Sequence, residues 1–135
     1  MMIERSTINE TELMKTAQLL DKLEFHDPHP YAQPLFVDDH GRIIRFMLKA
    51  GQSILEHNVP HSPFYVVVLQ GHGIFKDANG QEQPVGPNTL LIFDPAENHS
   101  VYATDEDLIF IGVLHGVPSA RPGVEGGEIV REEER

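Results

Sequence analysis

Two histidines, His57 and His61, stand four residues apart with Pro60 between them, and after Ser62 and Pro63 the apolar run "FYVVVL" begins. Imidazole is a common metal ligand, and the chain contains no cysteine, so a transition metal would have to be held by His, Asp or Glu. Side chains alternate along a regular strand, which would put positions 57, 59 and 61 on one face. Pro60 suits a strand end or an edge and makes that regularity uncertain. Tyr65 and Tyr102 could supply a proton or orient a substrate from a cavity wall, although strand tyrosines more often serve packing. Ser53 and Ser100 lack the setting of a nucleophile elbow, and no glycine-rich phosphate loop is present.

The elements that must carry these residues are short. Leu13, Ala17, Leu20 and Leu23 recur at three- and four-residue spacing, with Asn9 or Thr11 as a cap. This spacing predicts one amphipathic helix over 9–24. "HDPHPYAQP" then ends helical order with three prolines. From Leu35 onward, apolar runs alternate with "DDHG", "QGHG", "DANG", "DPAEN" and "TDED". About eight short strands at such spacing predict a sandwich, jelly roll or small barrel. The runs "FYVVVL" and "LIFIGVL" do not alternate cleanly, which predicts strands covered on both faces. The division expected is a helix and Pro-rich connector over 1–34, a barrel over 35–116 and a tail over 117–135. Met14 and Met47 are expected in the core.

These stretches resemble the two motifs of the cupin superfamily, in a small single-domain, cupin 2-like form with a degenerate metal motif. Gly51 is followed after five residues by His57, and Gly71 closes the first motif. "VGPNTLLIFDPAENHSVYA" is similar to the second motif, with His99 in the place of its histidine. The resemblance implies an all-β double-stranded β-helix, a cupin jelly-roll barrel, beside the N-terminal α-helix. It also implies that His57 and His99 converge across the barrel. The departures are specific. The family's second histidine falls on Val59 and its glutamate on Phe64, while the usual glycine and closing asparagine of the second motif fall on Ala96 and Ala103. His61 could substitute for the histidine absent at Val59. A His57, His61 and His99 set with open positions would suit Zn, Fe, Ni or Mn, and Asp94 or Glu97 could balance its charge. The alternative is that His57 and His99 are cavity histidines without metal, and that Val59, Phe64, Tyr65 and Tyr102 line an apolar pocket. His72 and His115 read as turn and strand-end residues, and His26, His29 and His40 as solvated.

Composition narrows the partners. The net charge of −11 repels phosphate backbones and anionic lipid, and no DNA-reading helix pair with a basic face is visible. Neither a signal-peptide core nor a stretch near the roughly 18 apolar residues of a membrane span occurs, so the cytoplasm is the expected compartment. Three functions follow: a metal-dependent enzyme of dioxygenase, isomerase or lyase type, a metal-free small-molecule binder, or a structural or regulatory dimer. A homodimer is expected in each, from apolar strand faces.

Overall fold

The computed structural model describes Ile8 and residues 13–116. Among these residues the fold is all-β, with nine strands and no helix. The strands are β1 (Tyr31–Asp38), β2 (Gly41–Leu48), β3 (Ser53–His57), β4 (Phe64–Gln70) and β5 (Gly73–Lys76). They continue with β6 (Glu82–Val85), β7 (Leu90–Phe93), β8 (His99–Ala103) and β9 (Leu108–His115). One sheet has the order β1-β2-β9-β4-β7 and the other β3-β8-β5-β6, all pairs antiparallel. The two sheets face each other as a jelly roll.

The turn signals act as their chemistry dictates. Asp77 Oδ1 accepts from the amides of Asn79 and Gln81, and Gly80 takes a positive φ, which closes the "DANG" hairpin between β5 and β6. Gly71 has φ +87°, and a Cβ there would lie 1.8 Å from the Asp107 carbonyl oxygen, so only glycine fits this corner.

The core between the sheets is aromatic. Phe46 stacks on Phe110 at 4.7 Å, Phe75 meets Phe110 at 5.3 Å, and Phe93 meets Phe75 at 6.0 Å and Phe64 at 6.4 Å. Gly112 makes room for this packing. A Cβ there would come within 2.6 Å of the Phe64 ring and 2.8 Å of that of Phe46.

Three expectations change. The described part of the predicted helix, residues 13–24, is turn and irregular chain, and Leu13 and Met14 are exposed. The physical reason is Arg45 on β2. Its guanidinium is fully buried and takes the carbonyls of Leu19 (2.9 Å), Asp21 (2.8 Å) and Lys22 (3.3 Å), together with Gln33 Oε1 (2.7 Å). Lys22 also stands at φ +53°, outside helical space. Residues 9–12 lie outside the described residues. The second change is the start of the sheet, at Tyr31 rather than Leu35. The third concerns the doubly covered strands. On β9, Ile109 and Ile111 are buried on the outer face as Phe110 and Leu114 are on the inner one. On β4 the pattern alternates and leaves Val67 39% exposed, while the segment bonded to Arg45 and Met47 lies over β2. Met47, beneath that segment, is fully buried as expected.

Candidate functional site

His57 and His99 are brought together. β3 and β8 pair so that His57 lies opposite His99, with a register shift between Ile54 and His57. Three residues on β3 span two on β8, so one extra residue is accommodated there. The shift decides which way His57 points. Ile54 is buried, so simple alternation would turn residue 57 outward, and the bulge returns it to the inner face.

Both rings are buried, 5% and 2% exposed, and their centroids are 4.4 Å apart at 68°. His57 Nδ1 donates to the Leu55 carbonyl at 2.8 Å and His99 Nδ1 to the Glu97 carbonyl at 3.0 Å. A carbonyl can only accept, so each neutral ring carries its proton on Nδ1 and its lone pair on Nε2. His99 also stacks on Phe93 (4.4 Å) and Phe64 (5.1 Å). Burial, and then the neighbouring His57, push the His99 imidazolium down to a pKa of about 3.

The other predicted site residues lie elsewhere. Val59 and Phe64 are buried core residues, each 3% exposed, at the positions where the cupin pattern has a histidine and a glutamate. His61 is exposed in the turn before β4. Tyr65 points to the outer face, where its hydroxyl meets His115 Nε2 at 3.1 Å, and Tyr102 is 40% exposed on the outside of β8. His72 pairs with Glu106 at the surface, and His26 stacks on Tyr31. Among the described residues no group of three or more His, Cys, Asp or Glu is placed to hold a metal ion. The donor set at the pair is two imidazoles without a carboxylate. That falls short of the three protein ligands of a catalytic zinc-type site, so these residues by themselves do not fit the metal that the family implies.

The space available to a ligand lies beside the pair. Among the described residues β6 and β7 are edge strands of their sheets, and between them runs a groove of about 430 Å³. Phe75, Leu91 and Phe93 form its floor, and Asp77, Gln81, Gln83, Thr89 and Glu97 its polar rim, with Leu90 and Ile92 on the β7 edge. Its size lies within the range of small-molecule sites. Phe93 belongs both to this floor and to the stack on His99, so one ring separates the groove from the histidine pair. Glu97 is held on the rim by the turn before β8: Glu97 N donates to Asp94 O, and Asp94 N to Glu97 Oε1 at 2.9 Å. Ala96 sits in that turn at φ +66°. This is the position where the cupin pattern places glycine, so the left-handed backbone persists at a cost of about 1 kcal/mol. Sequence reasoning missed the groove, although "DANG" and "DPAEN" mark the two turns that bring Asp77 and Glu97 to it.

Residues 59–124 match the AraC-like ligand binding domain. No curated protein matches the chain. Among solved structures, a double-stranded β-helix protein from Klebsiella pneumoniae is 18% identical, with a TM-score of 0.71 over 75% of this chain and 89% of that one. An RmlC-like cupin from Desulfovibrio desulfuricans is 25% identical, with a TM-score of 0.66 over 75% of this chain and 96% of that one. A protein from Thermotoga maritima described as a predicted oxalate decarboxylase is 21% identical, with a TM-score of 0.58 over 69% of this chain and 98% of that one. With its strand order, its facing motif histidines and these likenesses, the chain has the double-stranded β-helix fold of the cupins.

Proposed function

We propose that this cupin-fold chain is a metal-free binding module for a small organic molecule, seated in the groove between β6 and β7. The observation that carries the reading is the groove itself, an aromatic floor under convergent polar groups of the size a small ligand needs. The AraC-like ligand binding match over 59–124 supports it. So do Val59 and Phe64, which turn two customary ligand positions into dry packing. His57 and His99 then stiffen the wall behind Phe93.

Leu91 is half-buried on the groove floor, so Leu91→Trp fills the space from its open side. A panel of small cationic, neutral and anionic aromatic compounds, screened by thermal shift and then titrated by calorimetry, is expected to yield a ligand. Leu91→Trp should weaken that ligand at least about tenfold while the folded fraction is kept, since a blocked cavity forfeits well over 1.4 kcal/mol of contact. A panel without a binder, or a binder indifferent to Leu91→Trp, defeats the reading.

A metal-dependent enzyme using His57, His61 and His99 with Zn, Fe, Ni or Mn is the second reading. What favours it is the lone pair that the Nδ1 hydrogen bonds set on Nε2 of each buried ring, the usual arrangement of a metal-ligating histidine. A further donor would have to come from outside the His57–His99 pair. Stoichiometric metal in protein purified without added metal, lost in His57→Ala and His99→Ala, would establish it in place of the metal-free reading.

The partner we propose is a second copy of the chain, and the compartment the cytoplasm. No helix among the described residues is long and apolar enough to cross a membrane. The outer face of β4 and β7 carries Val67 opposite Leu90 and Tyr65 opposite Ile92, with Leu90 61% and Ile92 59% exposed. Pairing two such faces removes this apolar surface from water. Sedimentation velocity is expected to report a dimer, and Val67→Asp a monomer. A monomeric parent at micromolar concentration refutes the dimer.

A further inference from the structure

The charge around the groove is one-sided. Asp77 and Glu97 line it, and among the described residues that line it none is Lys, Arg or His. The strand register places these two acids together. Lys76 on β5 pairs with Ser100 on β8, so Asp77, which follows Lys76, and Glu97, which precedes His99, occupy the same end of that strand pair. Gln81 is held there too, since Asp77 N donates to Gln81 O at 3.1 Å.

Each carboxylate is positioned through one oxygen. Asp77 Oδ1 accepts from the amides of Asn79 and Gln81, both at 2.9 Å, and Glu97 Oε1 accepts from the amide of Asp94. Asp77 Oδ2 and Glu97 Oε2 take no hydrogen bond among the described residues. From this end the floor continues over the Phe75 and Phe93 rings, 6.0 Å apart and tilted by 31°, to Leu91. An apolar body would lie over these residues, and a cationic head at this end would meet two carboxylate oxygens. An anionic head would meet like charge, in a chain of net charge −11.

Building on the small-molecule reading above, we propose that the groove selects an organic ammonium ion. Its primary amine would be held between Asp77 and Glu97, and its apolar or aromatic body would lie over Phe75, Leu91 and Phe93. A neutral alcohol of the same shape would keep the packing but lose the charge-assisted hydrogen bonds.

Three compounds of one shape test this by calorimetry on the full chain: 2-phenylethylamine, 2-phenylethanol and 3-phenylpropanoate. The amine is expected to bind at least about tenfold tighter than the alcohol, the difference that one charge-assisted pair supplies, and the carboxylate weakest. Asp77→Asn and Glu97→Gln each keep the oxygen that anchors its turn, so the fold is retained. The double variant should bring amine and alcohol to within about threefold of each other. High salt should weaken the amine and leave the alcohol unchanged. Equal or tighter binding of the alcohol or the carboxylate, abolished by Leu91→Trp, overturns the ammonium preference and leaves the groove as the binding site. An amine preference that survives the double variant overturns the assignment of Asp77 and Glu97. Failure of these three compounds and of the wider panel overturns both the preference and the site.

Discussion

Arg45→Ala is expected to cost about 3 kcal/mol or more of folding stability, read as a lower urea midpoint at constant m-value. The guanidinium is fully buried on the outer face of β2, where burial pulls its pKa down against the opposing influence of Tyr31, Asp21 and Glu24. It persists because it is enclosed by oxygen: three backbone carbonyls of the segment 19–22 and the Gln33 side chain. Alanine would leave four buried or half-buried acceptors facing a void, and each unsatisfied group costs about 1–3 kcal/mol where water cannot reach it. Partial entry of water and relaxation of the segment bring the sum down to the stated figure. Arg45→Lys keeps the charge but offers a single ammonium to acceptors that are shared between two guanidinium nitrogens, so an intermediate loss of about 2 kcal/mol is expected. In both variants limited proteolysis should cut first within residues 13–30, since Arg45 fastens that segment to the sheet. A loss below about 1 kcal/mol for Arg45→Ala would show that the segment is held by its other contacts.

This arginine also explains where the sequence misleads. Leu13, Ala17, Leu20 and Leu23 have helical spacing, but a lone amphipathic segment of this length forms a helix only when its apolar stripe is packed. Here Arg45 claims the carbonyls that helical hydrogen bonds would need, and nothing in the local sequence announces a guanidinium more than 20 residues away. The strands were legible because their signals are local. Apolar runs closed by "DDHG", "DANG" and "TDED" became β1 to β2, β5 to β6 and β8 to β9. The coverage of their outer faces was less so, since Val67 on β4 and Ile111 on β9 are equally apolar, yet one is 39% and the other 7% exposed.

The candidate site divides in the same way. His57 and His99 could be singled out from motif spacing, and they face each other. The bulge that turns His57 inward could not be read, because a one-residue register shift leaves no mark in composition. The reasoning that put His57, Val59 and His61 on one face meets a different limit: β3 ends at His57, and while Val59 beyond it is buried, His61 lies exposed in the turn. The groove was hidden for another reason. It depends on β6 and β7 being edges that do not pair with each other, a property of the whole strand order.

The histidine pair carries the second large effect, a loss of stability in mild acid that belongs to His99. Its folded-state pKa is pushed from the ordinary 6.5 down to about 3, by burial and then by His57. Above pH 6.5 the ring is neutral both folded and unfolded, and folding gains or loses nothing from it. Below 6.5 the unfolded chain takes up a proton that the folded protein refuses, so stability falls as pH falls until about pH 3, where the folded form titrates as well. Each pH unit within that window removes at most about 1.4 kcal/mol, or about 2 kcal/mol by pH 5. His99→Leu removes the titrating group and keeps an apolar contact for Phe64 and Phe93. Its urea-derived stability, measured with chelator present, should therefore fall less steeply than the parent's between pH 7 and 5, by about that amount. The variant starts lower at pH 7, because the stacking and the Glu97 hydrogen bond are gone, and the two curves converge as acid is added. Parallel curves over this range would mean that the folded protein opens to protonate His99 at little cost, and that the aromatic wall behind the groove is softer than its packing implies.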